Sequence, residues 1–169
     1  KDIISENIQL LLDNEASNEE LTKVANFVLE TASNNGFYSE MYAKLYCDLT
    51  ECFPLFETLF EGSFTKYLDM YDNITSFSDN DDYDAFCNQN QINSERRAFT
   101  MFIVNLCIKN KITNERLFDL CWKLQTSFDV SILEEGNKPL CDELCENIFI
   151  IMTKGYKCLK TQNKYASLN

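Results

Sequence analysis

The sequence predicts an all-α chain, an α-solenoid of about four antiparallel helix pairs, and three observations lead there. Two segments far apart in the chain, Ser17 to Leu49 (SNEELTKVANFVLETASNNGFYSEMYAKLYCDL) and Ser94 to Leu124 (SERRAFTMFIVNLCIKNKITNERLFDLCWKL), read alike. Each has an apolar stripe at helical spacing, a short polar break and a second stripe. Only two prolines and four glycines occur in 169 residues, so long helices meet few forced interruptions. Apolar residues make up 45% of the chain, enough for one continuous core in a single domain spanning 1–169. A lone helix pair cannot bury both its faces, so repeated pairs stack on their neighbours.

The elements follow in order. Ile4, Ile8, Leu11 and Leu12 make one helical face, which breaks at Asp13 to Ala16. Ser17-Asn18-Glu19-Glu20 fits a capping box for a helix carrying Leu21, Val24, Ala25, Val28, Leu29 and Ala32. Asn34-Asn35-Gly36 stops it, through residues that tolerate a left-handed cap. Phe37 is expected to tuck between repeats. Ser39 is expected to cap a helix that turns Tyr42, Leu45, Tyr46 and Leu49 inward. Pro54 suits the first turn of the next helix, with Leu55, Leu59, Phe60, Phe64, Tyr67, Leu68 and Tyr71, which Gly62 weakens. From about 75 to 93 the pattern dissolves into an acidic, polar stretch read as an exposed loop. A calcium loop starting at Asp79 would need Gly and Glu where Asp84 and Asn90 stand. Ser94 restarts the pattern with Phe99, Phe102, Ile103 and Leu106, and Lys109 to Ile112 make the turn. Thr113 caps the helix of Leu117, Leu120, Cys121 and Leu124. After Gly136 and Pro139 a helix of Leu140, Leu144, Ile148, Ile151 and Met152 runs to Gly155.

Composition narrows the function classes. No apolar run spans a bilayer and no signal segment opens the chain, so a cytoplasmic protein is expected. The start at Lys1 reads as a piece excised from a longer protein. Eight cysteines fall mostly on helical apolar positions, which reads as reduced thiols packed as small hydrophobes. With no histidine and no CxxC pair, no metal or cofactor site is expected. The same gaps remove the usual general base and nucleophile motifs, so no catalytic residue is assigned and no enzyme is expected. The formal charge of −12 disfavours general nucleic-acid binding, although Arg96, Arg97, Lys109, Lys111, Arg116 and Lys123 make the second repeat the least acidic stretch.

The run S-N-E-E-L-x-x-V-A-N-F-V-L-E-T-A (Ser17 to Ala32), then Phe37 and M-Y-A-K-L-Y-C-D-L (Met41 to Leu49), resembles the opening repeats of the middle domain of eukaryotic translation initiation factor 4 gamma. R-R-A-F-T-M-F-I-V-N-L-C-I-K-N-K-I-T (Arg96 to Thr113) is similar to that domain's third repeat. The resemblance covers nearly the whole chain in order. The chain departs from that pattern in lacking a short apolar motif ahead of Ile3, in lacking a full fifth repeat, and in its acidity. The resemblance implies a HEAT-type translation-initiation scaffold, without activity of its own, that binds and stimulates a 4A-type DEAD-box RNA helicase. RNA and other initiation factors are further partners that it implies, with RNA held weakly given the charge; a monomer is expected. The alternatives are the same fold in RNA decay or splicing with another DEAD-box partner, or a viral Bcl-2-like helical decoy for host proteins. The partner-binding candidates are Arg96 and Arg97 in what reads as a first helical turn, Lys109, Asn110 and Lys111 in an exposed turn, and Asn34 and Asn35 in another.

Overall fold

A computed structural model describes residues 15–71 and 83–161, with Glu6, residues 9–11 and Asp13 ahead of them. Among the described residues every regular element is helical. Helix α1 (Asn18–Asn34) starts on the expected capping box: the Ser17 amide donates to Glu20 at 2.9 Å and the Glu20 amide donates to the Ser17 hydroxyl at 3.3 Å. Its stop falls where the sequence puts it, by other means. Asn35 has φ −137°, not a left-handed cap, and its side chain accepts from the Tyr38 amide to start one 3₁₀ turn, Gly36–Tyr38. Helix α2 (Ser39–Cys52) follows directly. Ser39 does not cap it; its hydroxyl is buried and accepts from the Asn105 amide group at 3.0 Å.

Helix α3 (Leu55–Asp69) begins after Pro54 and passes through Gly62 unbroken. Helix α4 (Tyr83–Ile108) corrects the loop reading for residues 83–93. The part at 75–82 lies outside the described residues, as does Asp79, while Asp84 and Asn90 are helical. Residues 84–93 carry no apolar stripe, so periodicity is silent there. Side-chain bonds one turn apart, Gln89 to Asn93 and Gln91 to Glu95, support that half. Helix α5 (Asn114–Ser131) takes its cap from Thr113, whose hydroxyl accepts from the Arg116 amide. Helix α6 (Lys138–Lys154) has Pro139 in its first turn, and the short α7 (Tyr156–Leu159) follows Gly155.

Helix α4 lies at the centre, against α1, α2 and α6; α1 also packs on α3, and α5 on α6 and α7. From Arg96 to Cys107 α4 is buried on most sides. What stays partly open is a narrow stripe of Arg97, Met101, Asn105 and Ile108, spaced four, four and three. Helices α4 and α6 run the same way, since Arg97 bonds Glu143 and Thr100 bonds Asn147. Helix α5 returns antiparallel to α6: Leu117 near its start meets Gly155, and Phe128 near its end shares a cleft with Cys141.

The core is aromatic where α2, α3 and α4 meet. Phe102 stands edge-on to Tyr46 at 5.7 Å and lies 5.8 Å from Phe99. Each such ring contributes at most about 1.5–3 kcal/mol through burial, plus a smaller ring–ring gain. Tyr46, Phe99 and Phe102 are buried as the stripes require. Trp122 is not; it lies exposed, stacked on Phe118 at 6.2 Å. Among the described residues no helix is long and apolar enough to cross a membrane.

Two glycines should respond oppositely to alanine. A Cβ at Gly155 would stand 2.6 Å from the Ile151 carbonyl oxygen and 2.9 Å from Leu117, whereas one at Gly62 meets nothing within 4 Å. Gly155→Ala is expected to cost about 1–3 kcal/mol by overpacking. Gly62→Ala is expected to stabilise by roughly 0.5–1 kcal/mol through helix propensity. Urea unfolding of both variants beside the parent measures the pair.

Candidate functional site

The two arginines singled out in the sequence are not a solvated first turn. They lie mid-helix in α4 and point into a polar cluster at the join of α3, α4 and α6. Arg96 is 0% exposed; it donates to the Met70 carbonyl at 2.7 Å and to Asn93 at 2.8 Å, and its guanidinium lies 5.0 Å from the Tyr71 ring centre. Arg97 forks onto Glu143, with Nε at 3.0 Å and Nη2 at 2.6 Å from the same oxygen. Glu143, 1% exposed, also accepts from Asn147 at 2.7 Å and lies 3.6 Å from Arg96. The bond to Glu143 raises the Arg97 pKa.

The cluster extends toward α3. Thr100 Oγ1 lies 2.8 Å from Tyr67 Oη, 2.9 Å from the Arg96 carbonyl and 2.5 Å from Asn147 Oδ1. A hydroxyl has one proton, so Thr100 donates to one of those acceptors and can accept from Tyr67. Burial pushes the Tyr67 phenol up to about 12 and the Tyr71 phenol well above its ordinary value, which keeps both as neutral hydrogen-bonding groups. Arg96 Nε is buried without a partner. The arrangement fixes α6 against α4. It places Arg96 out of reach of any docking molecule, which removes it as a contact residue, and leaves Arg97 at the surface with its side chain 42% exposed.

The lysine turn does lie at the surface, but its cations already have partners. The C-terminal end of α4 crosses α2, and the lysines fan to either side: Lys109 to Glu40 at 3.8 Å and Lys111 to Glu57 at 2.5 Å. Asn110 between them is exposed, in the left-handed region at φ 60°. Arg116 continues the edge. It forks onto Glu61 with both contacts at 2.7 Å and lies 4.3 Å from the Phe64 ring centre. The hydrogen bonds from Arg116 hold the Glu61 carboxyl below its ordinary 4.5. A cleft of about 200 Å³ opens there between Tyr46, Glu57, Phe60, Lys111, Ile112 and Arg116.

Beside this edge is the apolar surface that the sequence hid. Phe37 does not tuck between helices; it is 88% exposed, edge-on to Tyr38 at 4.9 Å. Tyr38, Met41 and Ile108 are exposed as well. The Ser39–Asn105 bond and the Glu40–Lys109 pair hold the α1–α2 turn next to the end of α4. Asn34, exposed, and Asn35, half-buried, both serve the turn: Asn34 donates to the Glu30 carbonyl and Asn35 starts the 3₁₀ turn. The structure thus ties the start of α2, at Ser39 and Glu40, to Asn105 and Lys109 at the end of α4, packs Gly36 beside Asn34 and Asn35 against Ala98 farther back along α4, places Lys111 against Glu57 of α3, and sets Arg96 apart in the interior. Among the described residues no group of His, Cys, Asp or Glu is placed to hold a metal ion.

The eight cysteines carry no disulfide. Burial pushes Cys107 up to about 12 and Cys121 up to about 11, so neither is a ready nucleophile. Comparison with known proteins finds no matching family model, no matching curated protein and no matching solved structure.

Two measurements follow. Glu143→Ala strands Arg96 without a counter-charge in the interior and is expected to cost about 3–5 kcal/mol in urea unfolding. Glu61→Gln, on a pair that water reaches, should cost under about 1 kcal/mol at neutral pH. The Glu61 carboxyl is depressed in the folded state, so whatever it contributes is present above the unfolded carboxylate range and fades as pH falls through its folded value. Equal costs for the two variants would mean the interior cluster is not a closed unit. In native protein, alkylation read by mass spectrometry should label Cys52, Cys87 and Cys145 and spare Cys107 and Cys121.

Proposed function

We propose that the chain is a HEAT-type solenoid of the initiation factor 4 gamma middle-domain kind, a cytoplasmic, monomeric scaffold that docks a 4A-type DEAD-box RNA helicase. The observation that carries this reading is the prow of Phe37, Tyr38, Met41 and Ile108, held in water beside the lysine turn. Exposed aromatic and apolar groups on an ordered scaffold are what a protein partner buries. Two features support the stacking. Helices α4 and α6 share a direction with α5 returning beside them, and α4 leaves one outward stripe uncovered, as an inner helix of a two-layer stack does.

The mechanism is population shift. A stiff edge that touches both helicase lobes favours one lobe arrangement by the difference in its contacts with the two states. Phe37, Tyr38 and Met41 supply apolar area. Lys109 and Lys111 exchange their internal carboxylates for acidic groups on the partner, a swap of similar pairs that sets orientation more than affinity.

A second reading, the Bcl-2-like decoy, draws on the burial of α4 from Arg96 to Cys107, since such bundles wrap one apolar helix. The uncovered stripe from Arg97 to Ile108 weighs against it. The same scaffold in RNA decay or splicing differs only in which helicase it holds.

Calorimetry with a 4A-type helicase and with DEAD-box helicases of decay and splicing tests the set. Phe37→Asp is expected to weaken the preferred partner at least tenfold, and Lys109→Glu with Lys111→Glu to weaken it less, with the helical signal intact. Binding unchanged in Phe37→Asp would move the contact off this edge. Absence of binding to any DEAD-box helicase, alongside capture of a host apoptotic helix, would replace the scaffold reading by the decoy.

A further inference from the structure

The turn between α5 and α6 carries a second unclaimed surface, independent of the Phe37 prow. Val130 and Ile132 are more than half exposed and Leu133 is 84% exposed, three large aliphatic groups within four residues. Ile132 lines an open cleft of about 400 Å³ together with Phe128, Ser131, Gly136, Cys141 and Cys145, and Val130 and Leu133 flank it in the chain. Scattered apolar residues at a surface call for no explanation; a contiguous group beside a concavity does.

The exposure is not fraying. The Ile132 amide donates to the Phe128 carbonyl at 2.9 Å, Leu133 to Val130 at 3.3 Å and Glu134 to Ser131 at 3.2 Å. The Asn137 side chain donates to Glu134 at 2.8 Å, and Gly136 turns the chain at φ +90°. An ordered backbone therefore holds Ile132 and Leu133 out in water. Among the described residues that line it, Glu134 and Asp142 are acidic and exposed, and the one cation, Lys138, is already paired with Asp142 at 2.7 Å; Asp129 and Glu135 add exposed acid on the adjoining chain.

We propose that this groove is a docking site for a cationic amphipathic helix of a protein partner, with its apolar face on Ile132, Leu133 and Phe128 and its lysines or arginines on Glu134, Glu135 and Asp129. Charge decides between occupants. A second copy of this chain, at net charge −12, would bring acid to acid. An anionic lipid surface would be repelled by the same carboxylates. A basic helix gains on both terms, with apolar burial in the cleft and opposite charge along its edge.

The test uses the whole chain and three synthetic helical peptides: a cationic amphipath with leucines at i, i+3, i+4 and i+7, a scramble of the same composition without the stripe, and an acidic twin. Calorimetry should show the cationic amphipath binding at least tenfold tighter than either control. Ile132→Ser with Leu133→Ser, both at exposed positions, should remove that advantage. Glu134→Lys with Glu135→Lys should weaken binding and flatten its salt dependence. Phe37→Asp should leave it unchanged, which separates this site from the helicase-docking reading. Equal binding of the scramble, an unaffected Ile132/Leu133 variant, concentration-dependent self-association of the chain, or binding to phosphatidylserine vesicles that the serine variant abolishes would each overturn the proposal.

Discussion

Glu143, buried on α6, sits between Arg96 and Arg97 of α4, and the register of α6 on α4 follows from that. Removing the charges of Arg96 and Glu143 from water costs several kcal/mol per ion, and the interior returns this only with near-complete partnering, to which the half-exposed Arg97 contributes from the surface side. Here the partnering draws on three helices at once. Arg96 reaches the last carbonyl-bearing turn of α3 through Met70, Arg97 and Arg96 meet on α6 through Glu143, and Asn147 and Thr100 close the gap between them. A slip of α6 by one turn along α4 would strand Glu143 and leave Arg96 with no counter-charge. The cluster thus selects one register among those the apolar stripes allow, which a surface of leucines and phenylalanines alone cannot do with the same sharpness.

Once that register is set, the surface follows. With α6 fixed on α4, α5 must return beside α6, and its first turn brings Arg116 over Phe60 and Phe64 of α3. The end of α4 meets α2, where Lys109 finds Glu40, while Lys111 finds Glu57 on α3. The cations of the lysine edge are engaged within the chain, so what remains unsatisfied there is apolar: Phe37, Tyr38, Met41 and Ile108.

What could be read from the sequence was whatever is local. The capping box at Ser17, the Thr113 cap, the break at Asn34 to Gly36 and the stripes of Tyr46, Phe99 and Phe102 depend on residues a turn apart, and each stands where expected. What escaped is long-range. The burial of Arg96 depends on Glu143, forty-seven positions away by the numbering, and nothing in the RR pair announces it. The first half of α4 has polar residues on every side, so periodicity carries no signal, and only the Gln–Asn and Gln–Glu spacings of four hint at helix. Phe37, expected to tuck between repeats, is instead left exposed by the 3₁₀ turn that Asn35 starts. The candidate edge was therefore half legible, its lysine turn visible and its apolar prow not.

The two apolar surfaces lie at different places on one helical body. One lies on the α1–α2 turn, the other on the α5–α6 turn, and α4, buried between α2 and α6, separates them. Two weak contacts on one stiff body act as a bivalent clamp when the partner can reach both, because the second contact forms at the effective concentration that the first one sets. Rigidity is what makes such a clamp selective: a flexible linker would accept many spacings, whereas helices locked by Glu143 accept few. The interior charge cluster fixes α6, and with it the α5–α6 turn, against α4, on which the α1–α2 turn is also held.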